Sequence, residues 1–203
     1  RATASPLWTC AGGTDASTRI PVLGCSDVPG DGTFVWRVTA VFHSWTATSG
    51  ESSSVTVDTT PPTGSITAPV SGAAVMGAVT VTSDSADAGS GVASAQFQSS
   101  PAGAGTWSNL GAADTASPYG VTWDTTTFGD GLYDLRVITS DKVGNSFTSA
   151  TIANVRVDNT APSGSTTAPA ANAFLNGANV AVSASSADAG SGVSSAQFQT
   201  SPH

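Results

Sequence analysis

SADAGSGVASAQFQSSP, residues 85–101, returns almost unchanged as SADAGSGVSSAQFQTSP, residues 186–202, an offset of 101. A second pair lies upstream of each copy: VDTTPPTGSITAP at 57–69 and VDNTAPSGSTTAP at 157–169, offset 100. One residue is therefore inserted between the two strings of the later copy, near Gly177. A weaker match aligns GDGTFVWRV at 30–38 with GDGLYDLRV at 129–137, offset 99. The chain is a tandem repeat with a period of about 100 residues, and self-similarity of that kind sets the domain plan before any local reading.

The phase of the repeat divides the 203 residues into three parts. Residues 1–57 correspond to the second half of one repeat, 58–157 to a complete repeat, and 158–203 to the first half of the next. Only the middle part can close a full core by itself. The terminal halves would leave sheet edges and apolar faces open, which is unfavourable. The chain, starting at Arg1 and stopping within QFQTSPH, reads as a piece of something longer. The alternative is that the first half in one copy pairs with the last half in another, although the two differ in sequence.

Within the complete repeat, short segments alternate apolar and polar residues and are punctuated by turn residues every 8–12 positions, the pattern of an all-β sandwich. Ser65–Ala68 follows Pro61-Pro62, which hold the linker extended. Ala78–Ser83 places Val79 and Val81 on one face. Ala93–Ser99 points Ala95 and Phe97 inward and Gln96 and Gln98 outward. A short connecting strand starts at Trp107. Tyr119, Val121 and Trp123 alternate inward, as do Tyr133, Leu135 and Val137, with Asp134 and Arg136 outward. A last strand is expected from about Phe147 to Val157. In the first half-repeat, Phe34, Trp36, Val38, Ala40 and Phe42 are expected on one face of a single strand. A period of ~100 residues is the size of an immunoglobulin-like sandwich.

Composition agrees. Charged residues are 10% of the chain, Ser and Thr number 58, and 13 of the 14 acidic residues are Asp. Ser, Thr and Asp compete with a helix backbone for hydrogen bonds, and the usual helix formers are scarce. Hydrophobics at 39%, with five Trp and seven Phe, argue against a disordered linker. A net charge of -8 argues against nucleic-acid binding, which needs a basic face. No apolar run approaches the ~18 residues of a membrane span. Cys10 and Cys25, flanked by turn residues in a Lys-poor acidic chain, suggest a local disulfide in an exported protein. Such a loop closure contributes about 3 kcal/mol. Two free thiols in a cytosolic protein is the other reading.

The strings VDTTPPTGSITAP, SGV before the third strand, and Asp141-x-x-Gly144-Asn145 between the last strands resemble bacterial Ig-like repeats of exported surface proteins. Residues 20–57 are similar to the last strands of a fibronectin type III domain, as in actinobacterial surface proteins that carry such a domain before Ig-like repeats. The resemblance implies tandem immunoglobulin-like and fibronectin type III-like β-sandwiches. It implies an extracellular or cell-surface location and a stalk, spacer or adhesive role without catalysis, as a monomeric stalk. The alternative is an accessory module of a secreted enzyme that binds a polysaccharide or a protein.

No set of residues marks a reaction. His43 lies beside Ser44, and Asp58 is near in sequence, but a triad also needs an orienting group and an oxyanion hole. Neither G-x-S-x-G nor H-E-x-x-H occurs. The Asp pairs sit in turn-rich segments, where Asp serves the backbone.

Sandwich connectivity nevertheless gathers the Asp residues. Asp58 in the leading linker, Asp84 and Asp87 in the second loop, and Asp141 and Asn145 in the last loop should share one pole. Asp31, in the preceding domain's turn, should face them. The next seam repeats the arrangement with Asp158, Asp188 and Asp130. Ca²⁺ takes six to eight oxygen ligands, carboxylates among them, so Ca²⁺ at the domain seams is an expectation that the resemblance to calcium-using adhesin repeats permits. Capping of turns by Asp and Asn without metal is the other reading. Trp8, Trp45 and Trp107 lie in irregular surroundings and are the candidates to stack on a sugar ring.

Overall fold

The computed structural model describes residues 29–177 and 179–201, in two compact bodies divided between Val57 and Asp58. Trp8, Cys10 and Cys25 lie outside the described residues, and with them the disulfide expectation. Among the described residues no helix is long and apolar enough to cross a membrane.

The N-terminal body contains β1 (Gly32–Phe34), β2 (Thr39–Phe42), β3 (Trp45–Thr48) and β4 (Val55–Val57). The middle repeat contains β5 (Ile66–Ala68), β6 (Ala74–Val75), β7 (Ala78–Ser83), β8 (Val92–Pro101), β9 (Ser108–Asn109), β10 (Gly120–Asp124), β11 (Gly131–Asp141), β12 (Ser146–Thr148) and β13 (Ile152–Val157). The C-terminal half-repeat contributes β14 (Ser163–Ala168) and β15 (Ser183–Ala187).

Two sheets face each other in the middle repeat. One runs β10-β7-β5, the other β6-β13-β11-β8-β9, with β12 also on β11. All pairings are antiparallel except β6 with β13. The first sheet sends Ile66, Val81 and Trp123 into the core, and the second sends Ala95, Phe97, Leu135, Val137, Val155 and Val157. These are the alternating positions of the sequence pattern, because successive side chains on a strand point to opposite faces. Phe97, Trp123 and Leu135 are essentially buried, each contributing roughly 1.5–3 kcal/mol by leaving water. At the lower pole Trp123, Phe128 and Tyr133 pack edge to face with centroids 5.4–5.9 Å apart. Tyr133, near the start of β11, donates its hydroxyl to the Gly129 carbonyl at 3.0 Å, the corner that braces this strand in immunoglobulin-type sandwiches.

Two strand expectations need correction. The last strand is split into β12 and β13. Between them the Ser149 hydroxyl accepts the Val137 N–H at 3.0 Å, so a side chain occupies a place in the ladder. The run Phe34–Phe42 is not one strand either. Trp36 and Val38 are 38% and 66% exposed, and their N–H groups go to the Ser52 and Ser49 hydroxyls. The same serine bond recurs in both halves, although β11 runs unbroken through Val137. Ser49 serves Val38 as Ser149 serves Val137, and each serine hydroxyl also donates to the carbonyl of the following residue. The register Gly32–Val57, Phe34–Val55 likewise reproduces Gly131–Val157, Tyr133–Val155. Residues 32–57 thus carry the strand pairing of the second half of a repeat.

Candidate functional site

The upper pole of the middle repeat is built on one carboxylate. Asp58, only 7% exposed, stands where the linker enters β5. Its Oδ2 accepts the Ser90 N–H at 2.6 Å and its Oδ1 the Thr60 N–H at 3.2 Å. Its backbone carbonyl accepts the Asn145 side-chain amide at 3.0 Å. The linker is therefore fastened to the β7–β8 loop and to the β11–β12 turn at once.

Each loop holds its shape with its own aspartate. Asp87 Oδ2 accepts the N–H groups of Gly89 and Gly91 at 3.1 and 2.6 Å. Asp141, 3% exposed, accepts N–H groups of Val143, Gly144 and Asn145 on Oδ1 at 2.7–3.0 Å and the Asn145 amide on Oδ2 at 2.6 Å. Burial pushes the Asp141 carboxyl up, but the Asn145 amide and the three N–H groups outweigh it and hold the carboxyl below its usual range. Two glycines are required here. A Cβ on Gly89 would come closer than 3.0 Å to the Asp58 carboxylate, and Gly91 has φ +86°, a left-handed conformation that favours glycine.

The loop motif and its partner recur at the second seam. Asp158, also 7% exposed, accepts the Ser191 N–H at 2.5 Å and the Thr160 N–H at 3.3 Å. Asp188 accepts the N–H groups of Gly190 and Gly192 at 3.1 and 2.7 Å. A Cβ on Gly190 would collide with Asp158 as one on Gly89 would with Asp58. The side chain and N–H of Ser191 hold the Asp158 carboxyl below its ordinary value against burial.

The second seam also shows what faces the linker from behind. Asp130, in the turn before β11, accepts the Asn159 N–H at 2.7 Å and the Thr160 hydroxyl. These bonds hold its carboxyl down, while burial and nearby Asp158 push it up. The Asn159 side chain reaches further back. It accepts from the Gly77 N–H and the Thr125 hydroxyl, both at 3.1 Å, and donates to the Thr125 carbonyl at 2.9 Å. Consecutive linker residues therefore grip opposite neighbours: Asp158 the following repeat, Asn159 and Thr160 the preceding one.

The expected ligand set is gathered only in part. One carboxylate oxygen from each of Asp58, Asp87 and Asp141 lies within 4.8 Å of the others, and Asn145 bridges two of these residues. Asp84 is not with them. It turns to β5, accepting from the N–H and hydroxyl of Ser65. Asp31 lies at the bend before β1 in the N-terminal body. Asp130, Asp158 and Asp188 do not form such a group among the described residues; two are linker latches and the third holds its own loop. Sequence reasoning missed Ser90, Ser191, Asn159 and Thr160, which act through N–H groups or short side chains. Gly89 and Gly190, fixed inside the repeated string SADAGSG, were the available signal.

Of the stacking candidates, Trp45 is 77% exposed. Trp107 is half-buried, and the Arg136 guanidinium lies 4.2 Å over its ring centroid, held by the Gln98 side chain at 2.8 Å. One face of Trp107 is thus taken by a cation–π contact.

A family model described as a bacterial Ig domain matches residues 62–137. No curated protein matches the chain. Among solved structures, the fibronectin(III)-like modules of Clostridium thermocellum CbhA are similar at 20% identity and a TM-score of 0.38, with 64% of this chain and 64% of that chain covered. The matched span runs from before β5 into β11 and includes strands of both facing sheets. The middle repeat is Ig-like, and its residues 62–137 are similar to a bacterial Ig domain.

Proposed function

We propose that the chain is a non-catalytic stalk or spacer segment of an exported bacterial surface protein. Domains of this type are typically non-catalytic and are often found in extracellular proteins. The observation that supports a spacer is the two-way hydrogen bonding of the 158–160 linker, Asp158 to Ser191 ahead and Asn159 and Thr160 to Asp130, Gly77 and Thr125 behind. A linker held from both sides keeps successive repeats in a fixed relation, as a spacer requires. The longest strand, β11, has 11 residues, so each repeat adds roughly 40 Å at ~3.4 Å per residue. Small-angle scattering of chains with two and three repeats tests the proposal. Maximum dimension should grow by about 40 Å per repeat; growth far below that would sink it.

The Asp58–Asp87–Asp141 group supports a second element of the reading, Ca²⁺ at the upper pole. Carboxylate oxygens within 4.8 Å of one another fit bonds of ~2.3–2.6 Å to a common ion. Asp58, Asp87 and Asp141 would hold it, and bound Ca²⁺ would relieve the crowding of three negative charges. Millimolar Ca²⁺ should raise the melting temperature of the chain, and Asp87→Asn should remove the effect; an unchanged melting curve contradicts it. For the rival role of a carbohydrate-binding module, exposed Trp45 is the feature to test, by retention on insoluble polysaccharides.

A further inference from the structure

On the outer face of the second sheet, Asn109, Gln98 and Arg136 form a row across β9, β8 and β11. The Gln98 amide donates to Asn109 Oδ1 at 2.8 Å, and Gln98 Oε1 accepts the Arg136 Nε–H at 2.8 Å. The Arg136 Cζ stands 4.2 Å over the Trp107 ring centroid. The guanidinium is thus held through its Nε and one face, while its Nη groups have no protein acceptor among the described residues. Asp134, on the same face of β11, gives its carboxylate to the Gly103 and Asn154 N–H groups at 2.9 and 3.1 Å.

The preceding repeat shows what this arginine does with a carboxylate in reach. Arg37 aligns with Arg136 at offset 99, and its Nη2 is ion-paired with Glu51. The Ser49–Val38 and Ser149–Val137 bonds put Thr151 at the position of Glu51. The middle repeat therefore keeps the arginine, has a threonine in place of the acid, and holds the guanidinium from the β8 side with Gln98 and Trp107.

We infer that the Arg136 fork, framed by Trp107 and Asn109, binds the carboxylate of a uronic acid flanked by neutral sugars. The planar fork matches a carboxylate, and holding it beforehand reduces the side-chain entropy lost on binding. The Asn109 amide nitrogen, two strand spacings or about 10 Å from Arg136, has no acceptor among the described residues and can donate to a sugar hydroxyl. Arg136 stands in mid-sheet, where β11 is paired with β8 on one side and flanked by β12 and β13 on the other. A peptide carboxylate would find no main-chain partners there, whereas hydroxyls meet side-chain amides. A net charge of -8 disfavours a polyanion and suits isolated carboxylates. This face is separate from the linker contacts, so the site does not rest on the spacer reading.

The test titrates D-glucuronate and, separately, D-glucose into the full 203-residue chain, followed by NMR of the Trp107 indole and Arg136 Nε signals. Glucuronate should shift both and saturate in the millimolar range, since an exposed ion pair is weak in water; glucose should shift neither. Arg136→Gln should weaken glucuronate binding about tenfold. Thr151→Glu, at an exposed position, supplies the carboxylate that Glu51 gives Arg37 and should weaken binding about threefold by competition. It leaves Arg136, Gln98 and Trp107 in place, and an unchanged signal from the buried Trp123 indole shows that each variant keeps its fold. Absence of saturable shifts, an equal response to glucose, or unchanged binding in either variant overturns the inference. So does equal affinity for acetate, which would make this a plain anion contact, or tighter binding of trialanine, which would make a peptide carboxylate the occupant.

Discussion

The backbone N–H of Ser90 points at the Asp58 carboxylate, 2.6 Å away, and draws the β7–β8 loop onto the linker that begins the repeat. The approach is close enough that position 89 must lack a side chain. The string Ala-Gly-Ser-Gly is therefore explained as a docking surface for a linker aspartate, with Asp87 shaping the loop from inside. Its recurrence with Asp158, Gly190 and Ser191 follows from the same need.

Gly89→Ala should destabilise the middle repeat by about 1–3 kcal/mol, the usual cost of forcing an extra carbon into a filled space. Ala88→Ser, at the exposed neighbouring position, should be close to neutral. Urea unfolding of the two variants, compared at constant slope, checks this.

Acid should weaken the fold through Asp141 and Asp158. Both have folded-state carboxyls held below their ordinary values. Such a group contributes stability that is fully present above its unfolded pKa, near 3.9, and is lost as pH falls through the folded value. The melting temperature should be level from pH 7 to about pH 5 and fall below about pH 4. Asp141→Asn should melt lower at pH 7 and show a shallower acid decline, measured by calorimetry across that range.

Phe97 and Phe198 occupy the same position of successive repeats but differ in burial, 0% against 52%. Phe97→Ala should cost about 3–5 kcal/mol, the range for a buried aromatic truncated to a cavity. Phe198→Ala should cost a small fraction of that. Denaturant titration followed by Trp123 fluorescence reports on the middle core directly.

Much of the fold could be read from the sequence. Val81, Phe97, Trp123, Leu135 and Val137 are inward in both alternation and structure, because period-2 patterning is enforced by burial of one face. The ladder bonds taken by the Ser49 and Ser149 hydroxyls were not legible, since a hydroxyl that takes a ladder N–H looks like any other serine in a Ser-rich chain. The shared pole of Asp58, Asp87 and Asp141 followed from connectivity alone. Asp84 did not join them, because its carboxylate is satisfied locally by Ser65, a contact set by side-chain direction. The gripping roles of Asn159 and Thr160 depend on both sides of a seam being present, which no single loop pattern encodes.

The fixed seam is tested most directly by residual dipolar couplings of backbone amides in the middle repeat and in residues 163–200. Held as described, both sets should fit one alignment tensor, and Asn159→Ala, which removes the side-chain bonds to Gly77 and Thr125, should split it into two. Two different tensors in the unmodified chain would show that the repeats move independently and would contradict the spacer reading.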